Sequence, residues 1–151
     1  MTTGDLDAVQ AVEASAYRHP WSRSNFIDSL AAGYLAEVLA CDGGVTGYFI
    51  AMVGAGELHL LNLTVAPAQQ GLGLGHLLLD AVQDHGRRLG LATLLLEVRR
   101  SNVRAQTLYL RRGFATVGER RGYYPAAQGR EDALVMGLPL AASAAPGREL
   151  D

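Results

Sequence analysis

The beginning of the chain has the hydrophobic spacing of an amphipathic helix. Apolar residues recur every three or four positions, at Leu6, Val9, Val12 and Ala16, and this period matches the buried face of an α-helix. We predict a first helix over residues 3–16. A second helix is predicted from Ser22, a good N-terminal cap, to Ala32, where Gly33 suits the C-terminal turn.

The next segments have the pattern of strands separated by glycines. Residues 34–41 and 45–53 predict a hairpin, because the glycines between them tolerate the positive φ angles of a tight turn. Residues 57–65 predict a third strand. Residues 92–98 are apolar on both faces, so we expect this strand inside the sheet with helices on either side.

The remaining pattern predicts two more helices and two late strands. The helices are expected at residues 75–88 and 102–112, and the strands near residues 114–122 and 132–138. This order indicates an α/β (α+β) fold with a mixed sheet, in one domain over residues 1–140. The tail, residues 141–151, is small, polar and contains Pro and Gly, which predicts disorder.

Composition narrows the class of protein. The chain has 151 residues, 49% apolar and 19% charged, which is typical of one globular core and not of a disordered or fibrous chain. Its apolar runs are too short to span a membrane, and its N-terminus lacks the pattern of a secretory signal, so we expect a cytoplasmic protein. Cys41 lies among apolar residues and is predicted to be a small buried side chain, not a nucleophile.

Every one of the 13 basic residues is Arg. The absence of Lys excludes a catalytic lysine, a Schiff base and a lysine phosphate loop. Seven arginines lie close together in the sequence, with Glu119 as the one acidic residue among them: Arg99, Arg100, Arg104, Arg111, Arg112, Arg120 and Arg121. This cluster is either a solvated face or a neighbour of a phosphate-rich ligand. The formal net charge of −2 does not indicate nucleic acid, and direct nucleic-acid binding is not expected.

The histidines do not indicate a metal site. His19, His59, His76 and His85 have neither the spacing of ligands on one helix nor a cysteine cluster nearby. We therefore expect no metal.

A glycine-rich segment, Gln70-Gly71-Leu72-Gly73-Leu74-Gly75, separates the third strand from the third helix. Such a loop lets a ligand approach the backbone and leaves helix-start N–H groups available to an anion. It is a poor dinucleotide fingerprint, because His76 stands where the last glycine belongs and the loop does not follow the first strand. A flexible turn without a ligand stays open as an alternative.

The same loop matches the acyl-CoA signature Gln/Arg-x-x-Gly-x-Gly/Ala of the GNAT superfamily of N-acetyltransferases. The blocks LNLTVAPAQQGLGLGHLLL, LLLEVRRSNVRAQTLYLRRGF and RRGYYPAAQGREDALVMGLPL resemble the RimI-type branch, bacterial enzymes that acetylate the N-terminal alanine of a small-subunit ribosomal protein. Pro20-Trp21-Ser22 also resembles this branch. The chain departs from it where a short first strand is usual, and at Gly71, where many relatives have a basic residue.

The resemblance implies a fold and a co-substrate. The fold would be a single GNAT-like domain, with a mostly antiparallel sheet flanked by about four helices and a split between the strands ending near Val65 and Val98 that holds acetyl-CoA. The implied contacts for acetyl-CoA are Leu63, Thr64 and Val65 along the strand, Gln70, Gly71, Leu72, Gly73, Leu74, Gly75 and His76 in the loop, and Asn102. For Asn102, a helix N-cap is an equally physical role.

Two residues are candidates for proton transfer. An N-terminal ammonium, with a pKa of about 8, must lose a proton before it can attack a thioester. Glu97 is the one carboxylate on the apolar strand 92–98, where burial without a cation partner would raise its pKa. Pairing with Arg99 or exposure to solvent are the alternatives. The resemblance implies that Glu97 is the base and that Tyr109 is the acid, although an aromatic residue on that helix is also ordinary core packing.

The acceptor is expected to be a peptide. The resemblance implies recognition by the segment 122–132, with Tyr123, Tyr124, Arg130 and Glu131, and Trp21 either lines the same groove or anchors its own loop. Arg130 is also available to neutralise Glu131 or Asp132. We expect direct attack in a ternary complex, a ribosomal protein N-terminus as acceptor and a monomeric enzyme. The alternatives are other protein N-termini, lysine or small amines, and a CoA-binding regulatory module without turnover.

Overall fold

The computed structural model describes residues 1–140, so the predicted disorder of residues 141–151 lies outside the described residues. A 3-10 turn at Thr3–Asp5 precedes the first α-helix. The helices are α1 (Leu6–Ala16), α2 (Arg23–Ala31), α3 (Leu74–Arg88) and α4 (Val103–Arg111), and the strands are β1 (Leu35–Cys41), β2 (Gly44–Gly54), β3 (Glu57–Val65), β4 (Thr93–Arg99), β5 (Ala115–Ala126) and β6 (Gly129–Pro139).

The strands form one six-stranded sheet in the order β1-β2-β3-β4-β6-β5. The pairs β1/β2, β4/β6 and β5/β6 are antiparallel. The prediction that residues 92–98 form an interior strand is confirmed, because β4 has neighbours on both sides and buries Leu94, Leu96 and Val98. The edge strands are β1 and β5, and their ladders are interrupted by one register shift in β1 and two in β5.

The chain divides into two compact units. The first comprises residues 1–52 and 60–80. Its core joins α1, α2 and β2 through Leu6, Val9, Phe26, Tyr48 and Ile50. In this unit β2 and the end of β3 approach very closely, since a Cβ on Gly47 would lie 2.9 Å from the carbonyl oxygen of Thr64. Only glycine permits that approach.

The second unit comprises residues 53–59 and 81–151, of which the structure describes those up to 140. Its buried residues include Val82, Leu94, Tyr109, Phe114 and Met136. The chain is tied down at Leu140, whose N–H donates to the carbonyl of Ala92 at 2.8 Å.

Two predictions need correction. The late strands are longer than expected, because a register shift between Arg120 and Tyr124, with Gly122 at a φ of 59°, lets β5 continue to Ala126. Cys41 is exposed at the end of β1. Its apolar neighbours in sequence did not bury it, because it is the last residue of an edge strand, where Ala40 is exposed as well.

Candidate active site

The glycine loop (residues 70–76) has the geometry of an anion cradle. Gly71 and Gly73 have φ angles of 84° and 83°, and a Cβ on Gly73 would meet nothing within 4 Å. The helix α3 begins at Leu74, so the N–H groups of its first turn have no acceptor inside the helix. Leu72 is 68% exposed. The loop therefore offers accessible backbone donors at the positive end of a helix.

The loop is fastened to the end of β3. The side-chain amide of Gln70 donates to the carbonyl of Val65 at 3.0 Å. The side chain of Thr64 is turned inward, and its hydroxyl donates to the side-chain oxygen of Asn62 at 2.7 Å. The strand segment and the loop proposed from the sequence are thus held together in the first unit.

Trp21 lies in the same unit, in the segment between α1 and α2. Its ring packs against Phe26 with centroids 5.1 Å apart. Ser22 caps α2 as predicted, accepting from the N–H of Asn25 at 3.2 Å. The ring of Trp21 therefore anchors its own loop, and its role toward a peptide stays a prediction.

Glu97 has an ionic environment that the sequence did not predict. Its side chain, 18% exposed, lies on β4, and its Oε2 is 3.3 Å from Nε of Arg120 on β5. The expectation of burial without a cation partner is therefore wrong, and so is the alternative pairing with Arg99. The partner of Arg99 is Glu131, with Nη1 3.2 Å from Oε1.

The charge of the Glu97 carboxylate acts on Tyr124. Burial, and then the charge of Glu97, raise the pKa of Tyr124 above its ordinary value. The guanidinium of Arg99 lies 4.5 Å from the centre of the Tyr124 ring and donates to the carbonyl of Pro125 at 2.7 Å. The second unit therefore holds Glu97 beside a phenol that stays neutral at physiological pH.

Glu131 binds the loop that follows β4. Its Oε2 accepts from the N–H of Ser101 at 2.7 Å. Hydrogen bonds from Ser101, and then from Arg99, hold the pKa of Glu131 below its ordinary value of 4.5. Arg130 neutralises neither neighbouring carboxylate, because its guanidinium donates to the carbonyls of Gly122 and Tyr123. Glu131 and Arg130 thus have structural contacts beside the peptide role predicted for them.

The remaining predicted residues lie on or before α4. Asn102 is the N-cap, and its side-chain oxygen accepts from the N–H of Ala105 at 3.1 Å. Tyr109 is buried, 7% exposed, and its ring packs against Phe114 with centroids 5.4 Å apart. Core packing is therefore one role of Tyr109, and its role as an acid stays a prediction.

Sequence reasoning missed two features. Arg120 had only been counted in the arginine cluster. Glu13, buried among three hydrogen-bond donors, had not been noticed. The available signal for Glu13 was a carboxylate four positions after Val9, where the apolar stripe of α1 continues.

The described residues contain neither a metal cluster nor a membrane span. Within residues 1–140, no group of three or more His, Cys, Asp or Glu side chains is placed to hold a metal ion. Each helix in that range is too short or too polar to cross a bilayer.

Comparison with known proteins identifies the family of the chain. The sequence model of the Acetyltransferase (GNAT) family matches residues 6–114. The chain belongs to this family. It is an acyltransferase with the GNAT fold, and the resemblance inferred from the glycine loop and the later blocks is confirmed.

Individual GNAT relatives are similar over nearly the full length. The ribosomal protein bS18-alanine N-acetyltransferase of Salmonella typhimurium is 40% identical over 140 residues, 93% of this chain and 95% of that protein. The crystal structure of the ribosomal-protein-S18-alanine N-acetyltransferase from Escherichia coli has a TM-score of 0.87 at 39% identity, covering 96% of this chain and 94% of that chain. Arabidopsis thaliana Naa50, solved with the bisubstrate analogue CoA-Ac-MVNAL, shares the fold with a TM-score of 0.79 at 20% identity, covering 91% and 94%.

Proposed function

We propose that this GNAT protein transfers the acetyl group of acetyl-CoA to the N-terminal alanine of ribosomal protein bS18. The observation that carries this proposal is the 40% identity, over nearly all of both chains, to an enzyme named for that reaction. We further propose that the glycine loop, Glu97 and Tyr109 of this chain carry the chemistry.

The first unit has the features needed to hold the co-substrate. Acetyl-CoA supplies an activated thioester and carries several phosphates. The glycine loop suits the pyrophosphate, because Gly73 leaves its backbone open and α3 presents its positive end there. The main chain of Leu63, Thr64 and Val65 would bind the pantetheine arm. His76 lies within the first turn of α3, beside the same donors.

The second unit supplies the groups that move protons. The α-amine attacks the thioester carbonyl, so that a C–N bond forms and the C–S bond breaks. Glu97 takes the proton that the amine loses, directly or through a water molecule. Tyr109 gives a proton to the departing sulfur. Glu97 thus gains one proton and Tyr109 loses one in the reaction, and proton exchange with solvent restores both groups before the next turnover.

The segment 122–132 is proposed to bind the acceptor peptide. Tyr123 and Tyr124 pack edge to face with centroids 4.9 Å apart, and Arg130 fixes the backbone around them. This rigid aromatic pair suits an extended peptide, whose backbone and small first side chain need a firm wall. Trp21, which lies in the first unit, is also proposed to contact the acceptor peptide.

The test is release of CoA in the presence of acetyl-CoA and a panel of amines. The panel contains the Ala-initiated bS18 peptide, the same peptide with a blocked N-terminus, a peptide starting with Met, a lysine side-chain substrate and a small amine. Glu97→Gln and Tyr109→Phe are the active-site variants. Asp84→Asn, which removes a carboxylate 62% exposed on α3, is the matched control.

The expected result is turnover with the free Ala-initiated peptide alone, lost in both active-site variants and kept in the control. Turnover with the lysine substrate or the small amine would contradict the N-terminal alanine as the acceptor, but the protein would still be an acetyltransferase. Binding of acetyl-CoA without turnover on any amine would make the protein a CoA-binding module.

A further inference from the structure

Glu13 is a carboxylate in the core of the first unit. It lies on α1 and is 2% exposed, on the face that also buries Leu6 and Val9. Burying a charge is costly unless hydrogen bonds replace the lost water. The presence of a carboxylate at this position therefore needs an explanation other than filling space in the core.

Its two oxygens accept from three neutral donors in three different segments. Oε2 accepts from the backbone N–H of Trp21 at 2.9 Å. Oε1 accepts from the hydroxyl of Tyr48 on β2 at 2.7 Å and from the side-chain amide of Asn62 on β3 at 3.1 Å. One side chain thus joins the loop before α2 to two neighbouring strands.

Helix α1 holds Trp21 from both sides of its backbone. Glu13 accepts from the N–H of Trp21, and the side-chain amide of Gln10 donates to its carbonyl at 2.8 Å. Gln10 and Glu13 are three positions apart, and so lie on one face of the helix. The backbone position of Trp21 is therefore fixed by α1.

The hydrogen bonds continue from Glu13 to the end of β3. The side-chain oxygen of Asn62 accepts from the Thr64 hydroxyl at 2.7 Å. The Tyr17 hydroxyl lies 2.7 Å from Thr64 Oγ1 and 3.2 Å from the carbonyl oxygen of Leu63. We call Glu13, Tyr17, Tyr48, Asn62 and Thr64 the carboxylate network.

The tyrosines of the network keep their protons at physiological pH. The pKa of Tyr17 is raised to about 12, mainly by burial. The hydrogen bond to Thr64 lowers this pKa, and the charge of Glu13 raises it further. Burial, and then the hydrogen bond to Glu13, raise the pKa of Tyr48. Both hydroxyls are therefore stable donors.

We propose that Glu13 is a positioning residue, which fixes Trp21 for the acceptor peptide and the strand end at residues 63–65 for acetyl-CoA. This inference rests on the proposed function, which assigns those two segments to substrates. Glu13 contacts them through the Trp21 backbone and through Asn62 and Thr64, and it does not itself touch the reacting atoms.

The variant Glu13→Gln tests this role with little change of volume. The amide nitrogen of this variant must face either the N–H of Trp21 or the donors of Tyr48 and Asn62. In either case at least one hydrogen bond is replaced by two donors that face each other. We expect the KM for the peptide to rise about tenfold, the value of roughly one hydrogen bond. We expect kcat at saturation to change less than about threefold and the pH–rate profile to keep its shape, because the proton-transfer groups are untouched.

Trp21 is the single tryptophan of the chain, so its fluorescence reports this segment independently of turnover. We expect acrylamide quenching of native Glu13→Gln to rise at least about twofold, since a released loop exposes the ring. Gln10→Ala, which removes the other anchor from a half-exposed position, should change quenching in the same direction. It serves if Glu13→Gln does not fold.

Val9→Ala is the matched control, because Val9 is fully buried on the same helix and lies outside the carboxylate network. It should lower the melting temperature and leave both quenching and KM near their original values. All assays are run well below the melting temperatures of the variants.

Unchanged quenching in Glu13→Gln, or an equal rise of KM in Val9→Ala, would overturn the proposal and leave Glu13 with a structural role only. Increased quenching with an unchanged KM would also overturn it. If the unmodified enzyme acetylates no peptide, the proposed function fails. Quenching and the affinity for CoA, measured by calorimetry, then decide whether Glu13 positions the two segments.

Discussion

Glu97 lies among charged and aromatic neighbours. Arg120 is 3.3 Å from its carboxylate, and its charge reaches the phenol of Tyr124. The ion pair therefore holds Arg120 beside the carboxylate that we propose as the base.

We predict that Glu97→Gln lowers kcat by about 10²- to 10⁴-fold near neutral pH, because the amide keeps the size of the side chain and loses its basicity. The loss should shrink as the pH rises beyond about 8, where the α-amine is already neutral without help. The measurement is kcat against pH for both proteins with a saturating peptide. Parallel profiles would contradict the assignment of Glu97 as base.

The candidate residues for the chemistry could be named from the sequence, but their surroundings could not. Glu97 stood out as the one carboxylate on an apolar strand. Its partner Arg120 is on another strand, 23 positions away in sequence, and nothing in the local pattern distinguishes Arg120 from Arg99. Glu13 was missed for the same reason, because Tyr48 and Asn62 are 35 and 49 positions away.

In the glycine loop, one backbone geometry both makes the turn into α3 and leaves the space proposed for the ligand. The positive φ angles of Gly71 and Gly73 turn the chain from β3 into α3, and the open space at Gly73 is where a ligand would lie. Strand β3 itself was predicted to the residue, because glycines precede it and Pro67 follows soon after.

We predict that Gly73→Leu weakens CoA binding at least about tenfold, because the side chain occupies the open space and strains the backbone by roughly 1–2 kcal/mol. Gly43→Leu is the control, since Gly43 also has a positive φ, 78°, and open space around its Cβ. Calorimetry with CoA should separate the two variants, although both lose thermal stability. Equal CoA affinities would place the cofactor elsewhere.

The hairpin of β5 and β6 is fastened through an ionised carboxylate. Because the pKa of Glu131 is lowered on folding, its contribution to stability is present above pH 4.5 and is lost as the pH falls through the folded-state value. We predict that Glu131→Gln is less stable than the unmodified protein at pH 7 and that this difference narrows below pH 4.5. Urea unfolding at pH 7 and near pH 3.5 measures it, and a constant difference would contradict the account.

Three carboxylates offset part of the charge of the arginine cluster. Five of its seven members have polar or acidic partners in the structure: Arg99 with Glu131, Arg100 and Arg121 with Glu119, Arg112 with Gln83, and Arg120 with Glu97. Pairing with three carboxylates lowers the positive charge that the cluster can offer to phosphates.

We therefore predict that the protein does not bind RNA measurably in about 0.15 M salt, and that any binding at low salt falls with a shallow slope. Filter binding with a mixed-sequence RNA over a salt series measures this. A steep slope, equivalent to several released counterions, would show that the arginines form a nucleic-acid surface and would contradict the pairing argument.

The irregular ladders of β1 and β5 have a consequence for how copies of this protein behave at high concentration. A straight edge strand with free N–H and C=O groups is a template onto which another chain can add a strand. Here both edges are broken by register shifts, and β5 also carries the charged Arg120 and Arg121. Such edges repel or misalign an incoming strand, so we expect copies of this protein to stay dispersed at high concentration.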